Sequence, residues 1–127
     1  MDKKIFWVLD TEIKDGKTDE VKSLMNEMID FTQKNEPGAV HYEWFISSDS
    51  KKCTLFEHYS DSDAAMVHLN SFGKNFGMRF MSLLAVKKYV VFGKPDENLK
   101  NALDKLGCIY MESISGFSKI INFCYCF

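Results

Sequence analysis

Alternation between two hydrophobic periodicities predicts an α+β fold, in which an antiparallel sheet carries helices on one face. Segments with a period of two alternate with segments of helical spacing in the order β-α-β-β-α-β. Glycine, proline, aspartate and serine separate these segments, as expected of turns. A chain of 127 residues that is 46% hydrophobic is long and apolar enough for one core. This element order is the split βαβ, or ferredoxin-like, pattern.

The first strand is predicted at residues 4–13, and the first helix extends to about residue 34. Both faces of the strand are apolar and are expected to be buried, with Ile5, Trp7 and Leu9 on one face and Phe6 and Val8 on the other. Thr18 is the expected helix cap. Pro37 and Gly38 end the helix, because proline cannot continue it.

Residues 39–47 and 52–60 have the spacing of a β-hairpin that turns at Asp49 and Ser50. A register centred on this turn pairs Val40 with Tyr59, Tyr42 with Glu57, Trp44 with Leu55 and Ile46 with Cys53 on one face, and His41 with His58 and Glu43 with Phe56 on the other. A slip of one residue would exchange the faces of one strand.

A second helix is predicted after the hairpin, with Ser60 as its N-cap and Asp63 completing a capping box. A break is expected near Gly73 or Gly77 in its apolar stripe, which consists of Ala64, Ala65, His68, Leu69, Phe72, Phe76 and Phe80.

The last strand of the pattern lies between Val86 and Pro95, and another helix follows, with Asp96 as cap and Gly107 as stop. The tail is expected to add an edge strand and a docked end. Residues 1–127 are therefore predicted to form a single domain, of which about 96–127 are a C-terminal helix and tail extension.

One face of such a sheet is left without helices, and here that face is apolar. It is expected to carry Phe6, Val8, Phe45 and Phe56. A monomer rarely exposes so much contiguous apolar surface. The sequence therefore predicts a homodimer through the open sheet face, with a two-fold axis.

Composition and charge argue against several classes of partner. The net charge is −2 and the basic residues are spread along the chain, so no nucleic-acid partner is expected. The longest uncharged run, residues 120–127, is too short to span a membrane, and the N-terminus resembles a strand rather than a signal peptide. The four cysteines are thus expected to be reduced in a cytoplasmic protein. The pair Cys124 and Cys126 is expected in a docked apolar tail rather than a metal site.

Two titratable side chains are predicted to face one another in the interior. Glu57 shares a strand face with aromatic residues, and His68 lies on the helix stripe that covers that face. Each would shift the pKa of the other, which suits acid–base chemistry. The pocket is expected to be lined by Tyr42, Trp44, Tyr59, Phe72 and Phe76. The alternative is that all seven residues are structural: a satisfied histidine, a hydrogen-bonded carboxylate and packed aromatics.

A second histidine pair, His41 and His58, is expected on the opposite face with Glu43 nearby. These residues could form a metal site, but a polar patch is the favoured interpretation, and no metal is predicted. The chain also lacks a glycine-rich phosphate loop.

The stretches EPGAVHYEWF and LFEHYSDSDAAMVHLNS resemble the antibiotic biosynthesis monooxygenase family, whose members are dimeric α+β barrels related to quinol monooxygenases. The similarity extends over about residues 4–119, and the C-terminal segment from residue 99 is similar to an extension found in some members. The matching residues are Pro37–Gly38, Tyr42–Glu43, Glu57, Tyr59, Asp61, Asp63, His68–Leu69 and Ser71.

The resemblance implies a pocket between sheet and helices in which a small quinol or phenol reacts with molecular oxygen, with no flavin, metal or other cofactor. His68 would act as base or hydrogen-bond partner and Glu57 would orient it. Haem-degrading relatives use an asparagine on the first strand, which this chain lacks, so haem degradation is not expected. An isomerase, a ligand-binding dimer without chemistry and a purely structural dimer are the alternatives.

Overall fold

A computed structural model describes residues 3–119 of the chain. Its elements follow the predicted order and add a helix and a strand at the end. They are β1 Ile5–Ile13, α1 Thr18–Asn35, β2 Ala39–Ile46, β3 Lys52–Tyr59, α2 Ser62–Asn75, α3 Gly77–Leu83, β4 Leu84–Phe92, α4 Glu97–Asp104 and β5 Ile109–Met111.

The strands form one open sheet in the order β2-β3-β1-β4-β5. The first four are antiparallel, as the ferredoxin-like pattern predicts, but β5 pairs with β4 in parallel. The sheet is therefore mixed rather than purely antiparallel. β5 is parallel because α4 lies between the two strands in the chain and returns it to the same end of the sheet.

The hairpin register is confirmed from His41–His58 to Ile46–Cys53 and is wrong only for the pair Val40–Tyr59 at its open end. A bulge between Ala39 and His41 places Ala39, not Val40, opposite Tyr59. An extra residue of this kind has no hydrophobic signature, because it alters pairing without altering the alternation further along the strand.

Two of the three predicted helix caps are wrong. Lys17 occupies the N-cap position of α1 without a side-chain cap, and Thr18 is already helical. Asp61 caps α2 by accepting a hydrogen bond from the Ala64 amide at 2.8 Å. Ser60 lies one residue before that position, and its amide donates to the Gly38 carbonyl at 2.9 Å, which continues the preceding strand pair. Asp96 caps α4 as predicted.

The helices bury one face of the sheet, where Ile5, Trp7 and Leu9 of β1 are at most 8% exposed. The predicted break in the long helix lies at Phe76, next to Gly77. Core residues form two clusters, one around Leu24, Leu55 and Phe80, the other around Trp7, Tyr59, Leu99 and Leu103. The candidate site lies where these clusters meet.

The opposite face of the sheet carries a row of rings that crosses four strands. The Phe6 ring stacks on Phe56 at 5.5 Å and on Phe92 at 4.7 Å between centroids, and His41 packs on Phe56 at 5.3 Å. We call His41, Phe56, Phe6 and Phe92 the aromatic row. Among residues 3–119, no helix has the length and apolarity that a bilayer crossing requires. The predicted docked tail, with Cys124 and Cys126, lies outside the described residues.

Candidate active site

The buried imidazole of His68 lies between two buried carboxylates. Its Nδ1 is 2.8 Å from Glu36 Oε1, and its Nε2 is 3.2 Å from Glu57 Oε1. The three residues are no more than 5% exposed. We call Glu36, Glu57, Tyr59 and His68 the ion cluster, because the Tyr59 hydroxyl donates to Glu57 Oε1 at 2.6 Å.

Three elements of the fold position the ion cluster. Glu57 and Tyr59 lie near the end of β3, and Glu57 is paired with Trp7 on one side and Tyr42 on the other. His68 is on the sheet-facing side of α2. Glu36 ends α1: its amide donates to the Thr32 carbonyl at 3.0 Å before the chain turns into β2.

Gly38 brings this turn close to α2. A Cβ atom at position 38 would overlap the Cβ of Ala64, which lies one helical turn before His68. A glycine here and a small residue on α2 are therefore what allow the end of α1 to approach the imidazole.

The carboxylates determine the charge of the imidazole. Burial on its own lowers the pKa of His68, but its hydrogen bonds to Glu36 and Glu57 and the charges of these residues raise the pKa to about 9. At neutral pH His68 is therefore an imidazolium that donates from both ring nitrogens. Burial, the charge of Glu57 and the hydrogen bond to it raise the pKa of Tyr59 well above its ordinary value, so its hydroxyl keeps its proton.

Three buried polar atoms beside the ion cluster make no hydrogen bond with any described residue: Glu36 Oε2, Tyr42 Oη and Trp44 Nε1. Side chains of Trp44 and Thr32 lie near enough to the Tyr42 hydroxyl to lower its pKa, against a larger increase from burial and the Glu57 charge. That proximity falls short of hydrogen-bond geometry. Buried polar groups are usually paired, so these three atoms have unused hydrogen-bonding capacity.

The predicted pocket residues divide into two groups. Tyr42, Tyr59 and Phe72 surround the imidazole, with ring centroids 5.5, 5.1 and 6.5 Å from that of His68. The Trp44 ring packs instead on Phe80 at 6.1 Å, and the Phe76 ring packs on Phe31 at 5.6 Å. Phe72 connects the groups through its own contact with Phe80 at 5.3 Å.

Sequence reasoning did not identify Glu36. One signal was present, because a carboxylate at a helix C-terminus lies against the negative end of the helix dipole, where lysine or arginine is favoured. An acid in that position needs a cationic partner, and His68 supplies it.

The second histidine pair is a surface feature. His41 Nε2 is 2.9 Å from Glu43 Oε1, and both side chains are about half exposed. Within residues 3–119 no group of histidine, cysteine, aspartate or glutamate side chains is arranged to hold a metal ion. His41 and Glu43 therefore form a polar contact on the open sheet face.

Solved structures similar to this one share its fold. MupZ from Pseudomonas fluorescens superposes with a TM-score of 0.82 at 22% identity, over 92% of this chain and 95% of its own. Rv0793 from Mycobacterium tuberculosis superposes with a TM-score of 0.63 at 24% identity, over 74% of this chain and 97% of its own. SnoaB from Streptomyces nogalater, a cofactor-independent oxygenase, superposes with a TM-score of 0.62 at 17% identity, over 74% of this chain and 95% of its own.

No curated protein matches the sequence significantly. Residues 6–73, in contrast, match the family model for antibiotic biosynthesis monooxygenases. This range is more than half of the chain and contains all four members of the ion cluster. The chain belongs to the antibiotic biosynthesis monooxygenase family.

Proposed function

We propose that the protein is a cofactor-independent monooxygenase that oxidises a small aromatic compound of the phenol or quinol type with molecular oxygen. The observation that carries this proposal is the buried ion cluster, with His68 held between two carboxylates inside the part of the chain that matches the family. A buried ion cluster costs free energy, which a purely structural role could avoid with apolar side chains.

The chemistry requires little from the protein beyond orientation and a place for one proton. Removal of the proton from an electron-rich phenol gives a phenolate, which transfers one electron to oxygen. The resulting phenoxyl radical and superoxide combine at a ring carbon. Loss of water then gives a quinone, so one oxygen atom enters the product, the other leaves as water, and the substrate supplies all the electrons.

His68 serves this reaction as a hydrogen-bonded cation. Both of its ring nitrogens are directed to carboxylates, and its pKa of about 9 keeps it protonated at neutral pH. Of the two roles expected for His68, hydrogen-bond partner is therefore favoured over base. Its positive charge stabilises the phenolate, and Glu57 with Tyr59 fixes the ring orientation.

The pocket in this proposal lies between β2 and the α2–α3 break. Tyr42, Trp44, Phe72 and Phe76 are all half-buried there, so their rings have one side in the core and one toward solvent. Aromatic side chains in that situation suit a planar ligand. An isomerase or a ligand-binding dimer without chemistry is the alternative use of the same pocket.

We also propose that two copies associate through the open sheet face, in the dimeric α+β barrel of the family. The aromatic row supports this arrangement, because it continues across β2, β3, β1 and β4 without a covering element among the described residues. A cytoplasmic location stays a prediction from the cysteine content.

Oxygen uptake by the purified, metal-free protein tests the activity. The substrates are a panel of hydroquinones and polyphenols, and the variants are His68→Gln and Glu57→Gln. We expect saturable uptake that falls by about 100-fold or more in the His68 variant, as for loss of a group that stabilises developing negative charge. Glu27→Gln removes a carboxylate from a surface ion pair with Arg79 and is the control. Uptake no faster than the spontaneous rate with every substrate would contradict the proposal.

A further inference from the structure

We infer that Glu36 is the proton acceptor of this site, and that its ligand is a neutral hydroxyl group, phenolic or enolic, bound by Glu36 Oε2, Tyr42 Oη and Trp44 Nε1. This inference rests on the proposed function and identifies the substrate class and the base for it. It follows from the three unpartnered atoms, the geometry of His68 and the charge of the ion cluster.

The three atoms have complementary hydrogen-bonding capacities. Glu36 Oε2 can only accept, Trp44 Nε1 can only donate, and Tyr42 Oη can do either. A hydroxyl group satisfies such a set, because it donates to the carboxylate and accepts from the indole and the phenol. A ketone or ether would leave the buried carboxylate oxygen unpaired, which costs free energy.

The side chains that carry the three atoms lie near one another. Tyr42 and Trp44 are two residues apart on the same face of β2, and the Trp44 side chain is near enough to the Tyr42 hydroxyl to lower the pKa of Tyr42. The Tyr42 ring is 5.5 Å from the His68 ring, which itself holds Glu36 Oε1 at 2.8 Å. One oxygen of Glu36 is thus held by His68 while the other has no partner, and the charge of Glu36 raises the pKa of Tyr42.

His68 is not available for the same task. Both of its nitrogens lie on carboxylate oxygens, so neither has a lone pair directed to a ligand. Glu57 Oε1 already accepts from Tyr59 and contacts His68. Among the members of the ion cluster, Glu36 has the unpartnered oxygen.

Charge selects a neutral ligand. Two carboxylates and one imidazolium leave the cluster with one net negative charge, so an anionic ligand would add a second charge without a partner. Transfer of the hydroxyl proton to Glu36 Oε2 leaves the electron pair on the ligand oxygen and does not change the total charge of the cluster and its ligand. The new oxyanion then receives hydrogen bonds from Trp44 and Tyr42 beside the imidazolium.

Binding of 4-nitrophenol, whose visible absorbance rises on ionisation, tests this without any oxidation. The titration is made slightly below the pKa of the free probe. We expect the bound probe to be ionised by the wild-type protein and to stay neutral with Glu36→Gln, which should also bind about 10-fold more weakly. Tyr42→Phe and Trp44→Phe should each weaken binding about 5-fold, as for loss of one hydrogen bond.

Two controls make the result specific. Glu27→Gln on the same helix should leave ionisation and affinity unchanged, because its carboxylate is half exposed in a surface ion pair. The anion 4-nitrobenzoate should bind at least about 10-fold more weakly than 4-nitrophenol. If Glu36→Gln does not fold, the Tyr42 and Trp44 variants carry the test.

Several outcomes overturn the inference: no binding of the probe, ionisation that persists in Glu36→Gln, affinity unaltered in the Tyr42 and Trp44 variants, or equal affinity for nitrobenzoate. These outcomes are separate from the fate of the proposed function. Ionisation that depends on Glu36 without oxygen uptake supports the inference and rejects the oxygenase. Oxygen uptake that survives in Glu36→Gln supports the oxygenase and rejects Glu36 as its proton acceptor.

Discussion

Burial removes the water that would hydrate the His68 imidazole, and two carboxylates replace it as partners, one on each ring nitrogen. An ion that is paired on both sides is more stable inside the protein than a neutral ring would be. The difference appears as the pKa of about 9, compared with an ordinary value near 6.5.

Because the folded-state pKa of His68 is raised, folding is stabilised wherever the imidazolium is present in the folded state. This contribution is complete below about pH 6.5 and is lost as pH rises through about 9, and it amounts to about 3 kcal/mol. We expect the free energy of unfolding, measured by urea titration, to decrease over that interval. His68→Gln should remove this slope. A wild-type profile that is flat between these two values would show that the imidazole is not charged in the folded protein.

His68→Gln should also lower the free energy of unfolding at neutral pH. Without the imidazolium, Glu36 and Glu57 remain buried with no cation between them, a situation that typically destabilises by about 3–5 kcal/mol. Thermal unfolding at neutral pH measures this loss. His41→Gln, at a half-exposed ion pair of the same composition, is the matched control and should change stability by less than about 1 kcal/mol.

Three of the four members of the ion cluster could be predicted from the sequence. Strand alternation and helix spacing each fix a face, and together they placed Glu57 and Tyr59 on one surface and His68 on the surface that faces it. Glu36 belongs to no periodic segment, since it ends a helix and precedes a turn. Its side-chain direction depends on how closely β2 approaches α2, and periodicity contains no information about that distance.

At the scale of elements, the approach of β2 to α2 depends on Gly38. Gly38→Ala should destabilise the protein by about 1–3 kcal/mol, because its Cβ would overlap Ala64. Gly73→Ala is the opposite case: the position lies inside α2 with open space around it, and alanine there should stabilise by up to about 1 kcal/mol. Urea unfolding of the two variants decides the sign of each change. Equal effects would mean that the close approach has no energetic importance.

The start of α2 gives a second prediction for an element. Asp61→Ala removes the carboxylate that accepts from the Ala64 amide and should cost about 1 kcal/mol. Ser60→Ala should cost less, since Asp61 and not Ser60 caps the helix. The two alternatives are adjacent in sequence, and the hydrogen bond from the Ala64 amide to the Asp61 carboxylate distinguishes them in the structure. A larger loss for Ser60→Ala in thermal unfolding would reverse this assignment.

For the whole molecule, the open sheet face determines the expected assembly. Sedimentation equilibrium should give twice the 14.7 kDa chain mass. Phe45→Lys, on the same face and half exposed, should shift the equilibrium to monomer, because a buried lysine at the interface would lack a partner. Met78→Lys is the control, since this residue is 90% exposed on α3, on the helical side of the sheet. A monomer at all concentrations would contradict the dimer.

The order of elements could be predicted almost completely at this scale, including an edge strand in the tail, while the bounds and direction of that strand could not. β5 has only three residues, too few to show a periodicity, and its direction depends on the preceding α4.

The ion cluster comes from one uninterrupted stretch of chain, between residues 36 and 68. This stretch contains the end of one helix, a hairpin and half of another helix, so it supplies every member of the cluster, and β1 is the neighbouring strand that pairs with it from outside. The segments after β4 contribute the apolar side chains of Leu99 and Leu103 to the core and no residue to the ion cluster. A change in the length or sequence of the C-terminal part would therefore alter this apolar support and the outer surface while leaving all four polar side chains in the chain.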